Sequence, residues 1–455
     1  MTNVNSSAVN TKRVCFINPN PGFIVDILVP NNLLVLATYL KKNGINVKII
    51  DEIAGDDVLT EVKIFNPDLV CFTAVTYTYP RVVRLLRMIK PMGYKTVIGG
   101  SHASTTPEQS LSHGFDMVVV GEGERVLLEI ITKGYSKGVF RADSASILKN
   151  NELSIPDRSL VNMDFYLKVP KKAMAIRSIS SRTASMHTTR GCTHKCIFCY
   201  NSWWNIPIRL HSPELMLEEV KELVDKYGVD HIIFTDDDLF IDKDRIIEFC
   251  RLIRANNIQI TWAAQARADS LNDEVLTAVA GAGCKGIGLG MESGSQKILD
   301  VLNKRNKLEK NFAASELCHK HGLFVVGYFM IGNPNENKED IKLTWKFIRK
   351  AKLDFIYPSI LTPYPGTELW KWCEREGFVS KDIDFSSYRE SRRRIEIPGT
   401  FTQAQIRRIR FMLILKIHLL NWRMLKHLLY VFSCRPIHTI KRLLFELNRL
   451  PEEAS

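Results

Sequence analysis

Short runs of β-branched and other apolar residues recur along this chain with amphipathic stretches between them, and that alternation restricts the fold more than any other feature. RVCFIN (13–18), NVKIID (46–51), DLVCFTA (68–74), KTVIGG (95–100) and DMVVVG (116–121) are near-continuous apolar runs, the pattern of parallel strands covered on both faces. Five such strands with helical patterns between them predict a flavodoxin-like doubly wound parallel sheet. A second series follows, ASMHTT, HIIFTD, QITWAAQA, GIGLGME, FVVGYFMIG and DFIYPSIL, separated by stretches such as PELMLEEVKELVDKY and KEDIKLTWKFIRKA. Six successive βα units predict a second, curved parallel sheet, closed fully or in part into a barrel. In both folds ligands collect at the C-terminal ends of the strands.

A chain of 455 residues exceeds what one core usually supports. The pattern divides it into an N-terminal sheet domain (1–133), a polar connector with a few short strand patterns (134–183), a barrel (184–372) and a basic helical C-terminal region (373–455). The formal net charge of +13 is uneven, because residues 385–455 hold 14 Lys/Arg and 5 Asp/Glu. The basic character is therefore mainly a property of the tail, which argues against nucleic-acid binding by the body of the chain. The opening MTNVNSSAVNTKR lacks the layout of a secretory signal, and no uninterrupted apolar run reaches the roughly 18–20 residues that span a bilayer. Ten scattered cysteines then suit a reducing, cytoplasmic compartment in which thiols bind metal or fill cores.

Three of those cysteines fall within eight residues. RGCTHKCIFCY places Cys192, Cys196 and Cys199 just after the first barrel strand, and thiolates are the preferred ligands of iron–sulfur clusters and zinc. A closed structural site needs a fourth ligand nearby, and this segment has no fourth cysteine. Three ligands leave one coordination position open, as a catalytic centre requires. His194 is an alternative fourth donor for zinc or an exposed loop residue. Asp236, Asp237 and Asp238 are weaker candidates that also read as a loop or helix cap.

CTHKCIFC fits C-x-x-x-C-x-aromatic-C, and in that pattern the chain resembles the radical S-adenosylmethionine (SAM) superfamily. FTDDDLFIDKDR (234–245), WAAQARAD (262–269), GIGLGMESGSQKIL (286–299), GYFMIGNPNE (327–336) and PYPGTEL (363–369) resemble segments of those members that carry an N-terminal cobalamin-binding domain. That group includes hopanoid methylases and anaerobic magnesium-protoporphyrin ester cyclases. The resemblance covers about 360 residues. It implies that Cys192, Cys196 and Cys199 hold a 4Fe-4S cluster, with SAM on the fourth iron and Phe198 beside its adenine. Arg267 and Glu292, at strand ends, then suit the SAM carboxylate and ribose, Arg because its planar fork is bidentate. The other reading of Glu292 is a buried carboxylate paired with a cation.

The N-terminal sheet has no G-x-G-x-x-G after its first strand, so a dinucleotide site lacks its fingerprint. KTVIGGSHAST and DMVVVGEGE resemble cobalamin-binding domains instead, which implies contacts from Thr73, Gly99, Gly100, Gly121 and Glu122. Gly99 and Gly100 also read simply as a tight turn. Many cobalamin domains place Asp-x-His-x-x-Gly after the first strand, with the histidine on cobalt. Here NPNPGFIVDILVP stands in that place, so no cobalt ligand is assigned, and His102 and His113 read as a loop and a helix-end residue.

The resemblance thus implies an enzyme that cleaves SAM reductively, with cobalamin-dependent methyl transfer to an unactivated carbon as the favoured outcome. Cyclisation or oxidation without methyl transfer is the alternative within the family. A methylthiotransferase would need three more cysteines in the N-terminal domain, where only Cys15 and Cys71 occur, both inside apolar strands. An iron–sulfur or zinc regulator that binds nucleic acid explains the basic tail but gives the barrel no role. Expected partners are an external electron donor such as flavodoxin or ferredoxin and a small, hydrophobic or lipid-like substrate. The segment IRRIRFMLILKIHLLNWRMLKHLLYVF (406–432) has two readings: an interfacial helix with Trp422 and Tyr430 at headgroup depth, or a helical cap on the open end of the barrel.

Overall fold

The computed structural model describes residues 12–20, 22, 27–168, 182–200, 207–379, 383, 385, 388, 395–397, 400–420 and 425. Its first sheet has β1 (Arg13–Asn18), β2 (Asn46–Asp51), β3 (Leu69–Thr73), β4 (Lys95–Gly99), β5 (Met117–Val120) and β6 (Gly138–Arg141), in the order β2-β1-β3-β4-β5-β6. Every neighbouring pair is parallel. The order reverses between β1 and β3, and at such a switch point the adjacent loops splay apart and open a ligand crevice. The sixth strand lies within the stretch read from sequence as connector. Its burial is only partial, which explains why an apolar run does not announce it.

A small ladder and a second sheet follow: β7 (Thr183–Met186), β8 (Thr189–Arg190), β9 (Arg209–Leu210), β10 (His231–Phe234), β11 (Thr261–Ala266), β12 (Cys284–Glu292), β13 (Phe324–Ile331) and β14 (Phe355–Ile360). β8 and β9 pair with each other, while the other six form one parallel sheet in the order β14-β13-β12-β11-β10-β7. The expected six-unit partial barrel is therefore present, with β7 and β14 at its edges. Helices such as Lys243–Ala255 and Lys338–Lys350 return the chain between strands. The latter opens with a capping box from Asn337 and Asp340, which satisfies backbone N–H groups that have no partner inside the helix.

The helix Gln403–Leu420 closes the β14 side. Ile406 and Leu413 are buried in the barrel core, and Arg410 Nε donates to the Pro358 carbonyl at 2.9 Å. A proline is tolerated in an edge strand, where its missing N–H breaks no ladder. For this half of the tail the structure matches the capping reading. Trp422, Arg423, Lys426 and Tyr430 lie outside the described residues. No helix among the described residues is long and apolar enough to cross a membrane.

Polar contacts join the domains. Tyr166, from the connector helix Met163–Lys168, donates to Asp51 Oδ2 at 2.6 Å, and Asn18 Nδ2 donates to Asp51 Oδ1 at 2.8 Å. Burial pushes the Asp51 carboxyl up, against these two hydrogen bonds. Arg158, fully buried in the connector, pairs with the equally buried Glu219 of a barrel helix. His211 Nδ1 lies 3.8 Å from the other oxygen of Glu219.

Candidate active site between the two sheets

The cysteine segment leaves the end of β7 and is held from several sides. Gly191 N–H donates to Asp237 Oδ2 at 3.1 Å, and Asp236 Oδ1 accepts from both the N–H and the hydroxyl of Thr188. Of the three adjacent acids, two thus pin the stem of the segment. Further along, Ile197 N–H donates to the Leu302 carbonyl, the Asn303 amide to the Lys195 carbonyl at 2.6 Å, and Leu369 N–H to the Ile197 carbonyl. Cys199 N–H donates to the Cys196 carbonyl at 3.1 Å, which folds the last two thiols into one turn.

Cys196 is buried, while Cys192 and Cys199 are half-buried. Among the described residues the group with three ligand atoms all within 4.8 Å of one another is Cys192, His194 and Asp238, and the three thiols form no such group. A single tetrahedral zinc draws its sulfurs to about 3.8 Å apart, from Zn–S bonds of ~2.3 Å. The wider thiol spread suits a multi-iron cluster, and the zinc-like trio leaves Cys196 and Cys199 without a role. Burial pushes the Asp238 carboxyl up to about 6.

Arg267 and Glu292 both reach this region. Arg267 donates to Asp269 through Nε and Nη2, each at 3.0 Å, to the Lys304 carbonyl at 2.7 Å, and lies 3.8 Å from the Cys196 sulfur. Glu292 ends β12 at a break in register and adopts φ +59°, a left-handed conformation costly for a residue with a side chain. Its carboxylate accepts from Lys304 Nζ at 2.6 Å, so the cation pairing considered from sequence is present. A Cβ at Gly290 would sit 2.9 Å from both members of that pair, so glycine is what leaves them room.

Opposite the cysteine segment stand the strand ends of the first sheet. A cavity of about 200 Å³ separates the two, lined by Val75, Thr76, Tyr77 and Ser101 on one side and by Phe198, Tyr200, Tyr364 and Pro365 on the other. Its walls are mainly aromatic and apolar, and Val75 is one of the large apolar side chains left exposed among the described residues. Such a surface suits a flat, largely apolar ligand edge. Thr73 and Gly99 flank this face. A Cβ at Gly99 would meet nothing closer than the Val119 carbonyl at 3.8 Å. Gly100 differs: with φ +91°, its Cβ would lie 2.7 Å from the Ala74 carbonyl and 2.9 Å from Thr73 Oγ1. Its glycine is thus demanded by local packing, as the tight-turn reading has it. The Glu122 carboxylate accepts from Arg209 Nη1 at 2.6 Å and from Arg190 at 3.3 Å.

His102 is not the loop residue expected from sequence. It lies in the helix Ser101–Thr105, buried against Tyr79, with its ring nitrogens 3.4 Å from Thr76 Oγ1 and 3.3 Å from Gln109 Oε1. Burial pushes it down to about 4, so it stays neutral, and both nitrogens are engaged. His113 caps the helix Pro107–Ser112 and bonds Tyr79. Lys304, Arg190, Arg209, Tyr200 and Tyr364 escaped the reading of the sequence. The one local signal was RG before the first cysteine, because Arg190 is fixed to that segment in the chain while its partners lie 66 and 68 residues away.

Comparison with known proteins agrees with this geometry. Residues 186–348 match the Radical SAM superfamily and residues 24–131 match the B12 binding domain. The chain is 32% identical over 370 residues, 76% of its length and 78% of the relative's, to an uncharacterized methyltransferase of Pyrococcus horikoshii. It is 28% identical to the anaerobic magnesium-protoporphyrin IX monomethyl ester cyclase of Rubrivivax gelatinosus, covering 83% of this chain and 72% of that one. In fold it is similar to the radical SAM methyltransferase TsrM from Kitasatospora setae, solved with cobalamin and a [4Fe-4S] cluster bound: TM-score 0.67, 18% identity, 81% of this chain and 76% of that one. An enzyme whose cofactors are a 4Fe-4S cluster, SAM and cobalamin, this chain belongs to the radical SAM superfamily, among the methyltransferase-like members that carry a B12-binding domain.

Proposed function

We propose that the chain moves a methyl group from SAM to an unactivated carbon of a small, hydrophobic substrate held between the two sheets. The observation that carries this reading is the cavity whose opposite walls come from the cysteine segment and from the strand ends of the first sheet. When bound, the cofactors would supply the chemistry: one electron would cleave one SAM to methionine and a 5′-deoxyadenosyl radical that takes a hydrogen atom from the substrate, and cobalamin would pass the methyl group of a second SAM to the substrate carbon, consuming a second electron per cycle. Cys192, Cys196 and Cys199 hold the cluster. Arg267, kept flat by Asp269, and Glu292, aimed by its strained backbone, orient SAM, and Phe198 lies beside the adenine. Thr73, Gly99, Gly100 and Gly121 line the seat for cobalamin, to which Glu122 offers its backbone, since Arg190 and Arg209 take its carboxylate. The aromatic walls exclude water from the reacting centre. An external electron carrier of the flavodoxin or ferredoxin class supplies both electrons.

Two glycines test the cobalamin seat separately from the fold. Gly99→Leu is expected to weaken hydroxocobalamin binding by about tenfold or more, and Gly99→Ala to leave the thermal midpoint near wild type, because an added Cβ meets no atom closer than 3.8 Å in the free chain. Gly100→Ala is expected to lower stability by about 1–3 kcal/mol with or without cobalamin, because it places a side chain in a left-handed position against backbone. Unchanged affinity in the folded Gly99→Leu protein would remove that face as the seat.

The tail carries a second test. With Ile406, Leu413 and Arg410 packed on the barrel, membrane contact is left to the outward face that carries the exposed Arg408 and Leu415 and chiefly to the sequence after residue 420, whose NWRMLKHLLYVF mixes cations with Trp422 and Tyr430. Full-length protein is expected to float with anionic liposomes at low salt, and a version ending at residue 420 to stay behind, folded. If full-length protein remains unbound, peripheral membrane contact is wrong.

A further inference from the structure

The segment that carries the cluster cysteines departs from and returns to the barrel through the β8–β9 ladder, in which Arg190 stands directly opposite Arg209. Both guanidiniums converge on one carboxylate from the other domain. Arg209 donates to Glu122 through both terminal nitrogens, and Arg190 donates to Glu122 and, at 2.7 Å, to Glu124. The four side chains expose between 4% and 18% of their surface. Two cations against two carboxylates leave no net charge in that buried patch, and charge pairs so desolvated are sensitive to geometry.

Glu122 sits in the turn between β5 and the helix Glu124–Lys133, next to Gly121, whose N–H donates to Ser104 Oγ at 3.0 Å. The Ser104 hydroxyl is also hydrogen-bonded to Tyr200, the residue after Cys199. Both feet of the cysteine segment are thus fastened to the turn and helix start that follow β5, and the residue after its last thiol to the short helix Ser101–Thr105 that follows β4. These elements follow Gly99 and Gly121 on the face proposed for cobalamin.

We propose that Glu122 is a positioning residue that couples the two cofactor sites. A ligand seated on the first sheet fixes the β5 turn, the turn fixes Arg190 and Arg209, and these fix the segment on which the cluster assembles. Linkage makes the effect reciprocal, so the assembled cluster tightens the seat for cobalamin by the same factor. The proposal rests on the reading that cobalamin binds this sheet.

Affinity for hydroxocobalamin, measured by absorbance titration of full-length protein with the cluster reconstituted and after chelation of its iron, tests the coupling without any turnover. Wild-type protein is expected to bind about tenfold more tightly with the cluster present, within the range usual for coupled sites. Glu122→Gln, isosteric but uncharged, is expected to bring that ratio near one, with unchanged circular dichroism. Arg209→Gln, which breaks the same contact from the barrel side, is expected to do likewise and decides the matter if Glu122→Gln does not fold. A wild-type ratio near one with firm binding in both forms overturns the coupling and leaves the cobalamin reading standing, as does a folded variant that keeps the wild-type ratio. Wild-type protein that binds no hydroxocobalamin in either form overturns both.

Discussion

Cys196→Ala is expected to abolish the cluster, taking iron from about four per chain to below one and SAM cleavage down by at least about a thousandfold. Cys196 is the most buried of the three ligands, 6% exposed, and its segment is held by the hydrogen bonds to Leu302, Asn303, Asp237 and Leu369. With that backbone fixed, no other thiol among the described residues can swing into its place, since Cys15, Cys71, Cys250, Cys284, Cys318 and Cys373 are buried elsewhere in the core. Arg267 and Lys304 lie close enough to draw the Cys196 thiol toward its thiolate, against the burial that pushes it up. Loss of the thiolate leaves their charge near an incomplete site. Iron and sulfide assays after anaerobic reconstitution, with 5′-deoxyadenosine measured by mass spectrometry, check this. A variant that keeps full iron and cleaves SAM would show that the cluster lies elsewhere.

The largest loss of stability is expected from Glu219→Ala. Arg158 is fully buried and Glu219 nearly so, and the Arg158 Nε and Nη1 atoms already lack a hydrogen-bond partner. Removing the carboxylate leaves the buried guanidinium with only Glu222, which is partly exposed and whose Oε2 lies 3.7 Å from Arg158 Nη1, a change that costs up to about 3–5 kcal/mol. His211, pushed down to about 4 by burial, stays neutral and adds no second positive charge beside it. Because the pair ties the connector to a barrel helix, the loss is expected to appear as a lower urea midpoint and as earlier proteolysis between residues 134 and 183. Arg158→Met combined with Glu219→Leu is expected to recover most of the stability, since replacing both charges by apolar side chains of similar size removes the desolvation cost. If Glu219→Ala stays within about 1 kcal/mol of wild type, the pair is not the interdomain bolt described here.

What the sequence disclosed and what it hid divide along physical lines. Eleven strand runs and their βα order were legible because most of their residues are apolar and buried, as throughout β10. β6 was not, because its residues are only half-buried and GVFR carries no apolar run. The cysteine spacing is local, so Cys192, Cys196 and Cys199 were plain, and so were the strand-end positions of Arg267 and Glu292. Lys304 was hidden because its partner is reached through a loop in which Asn303 and Arg305 take left-handed backbone, and no periodicity encodes such a turn. Glu122 was recognised as a strand-end residue, yet its carboxylate engages Arg190 and Arg209 across a domain boundary, a pairing between distant segments that only the assembled fold displays. Asp236 and Asp237 similarly read as a possible cap, and their contacts show which backbone and hydroxyl groups they hold.

The account stands most directly on what the full-length chain binds at once. Anaerobically reconstituted protein incubated with hydroxocobalamin and passed through a desalting column should carry about four iron, about four sulfide and about one cobalt per chain. Protein that emerges with one zinc, no iron and no cobalt would contradict it.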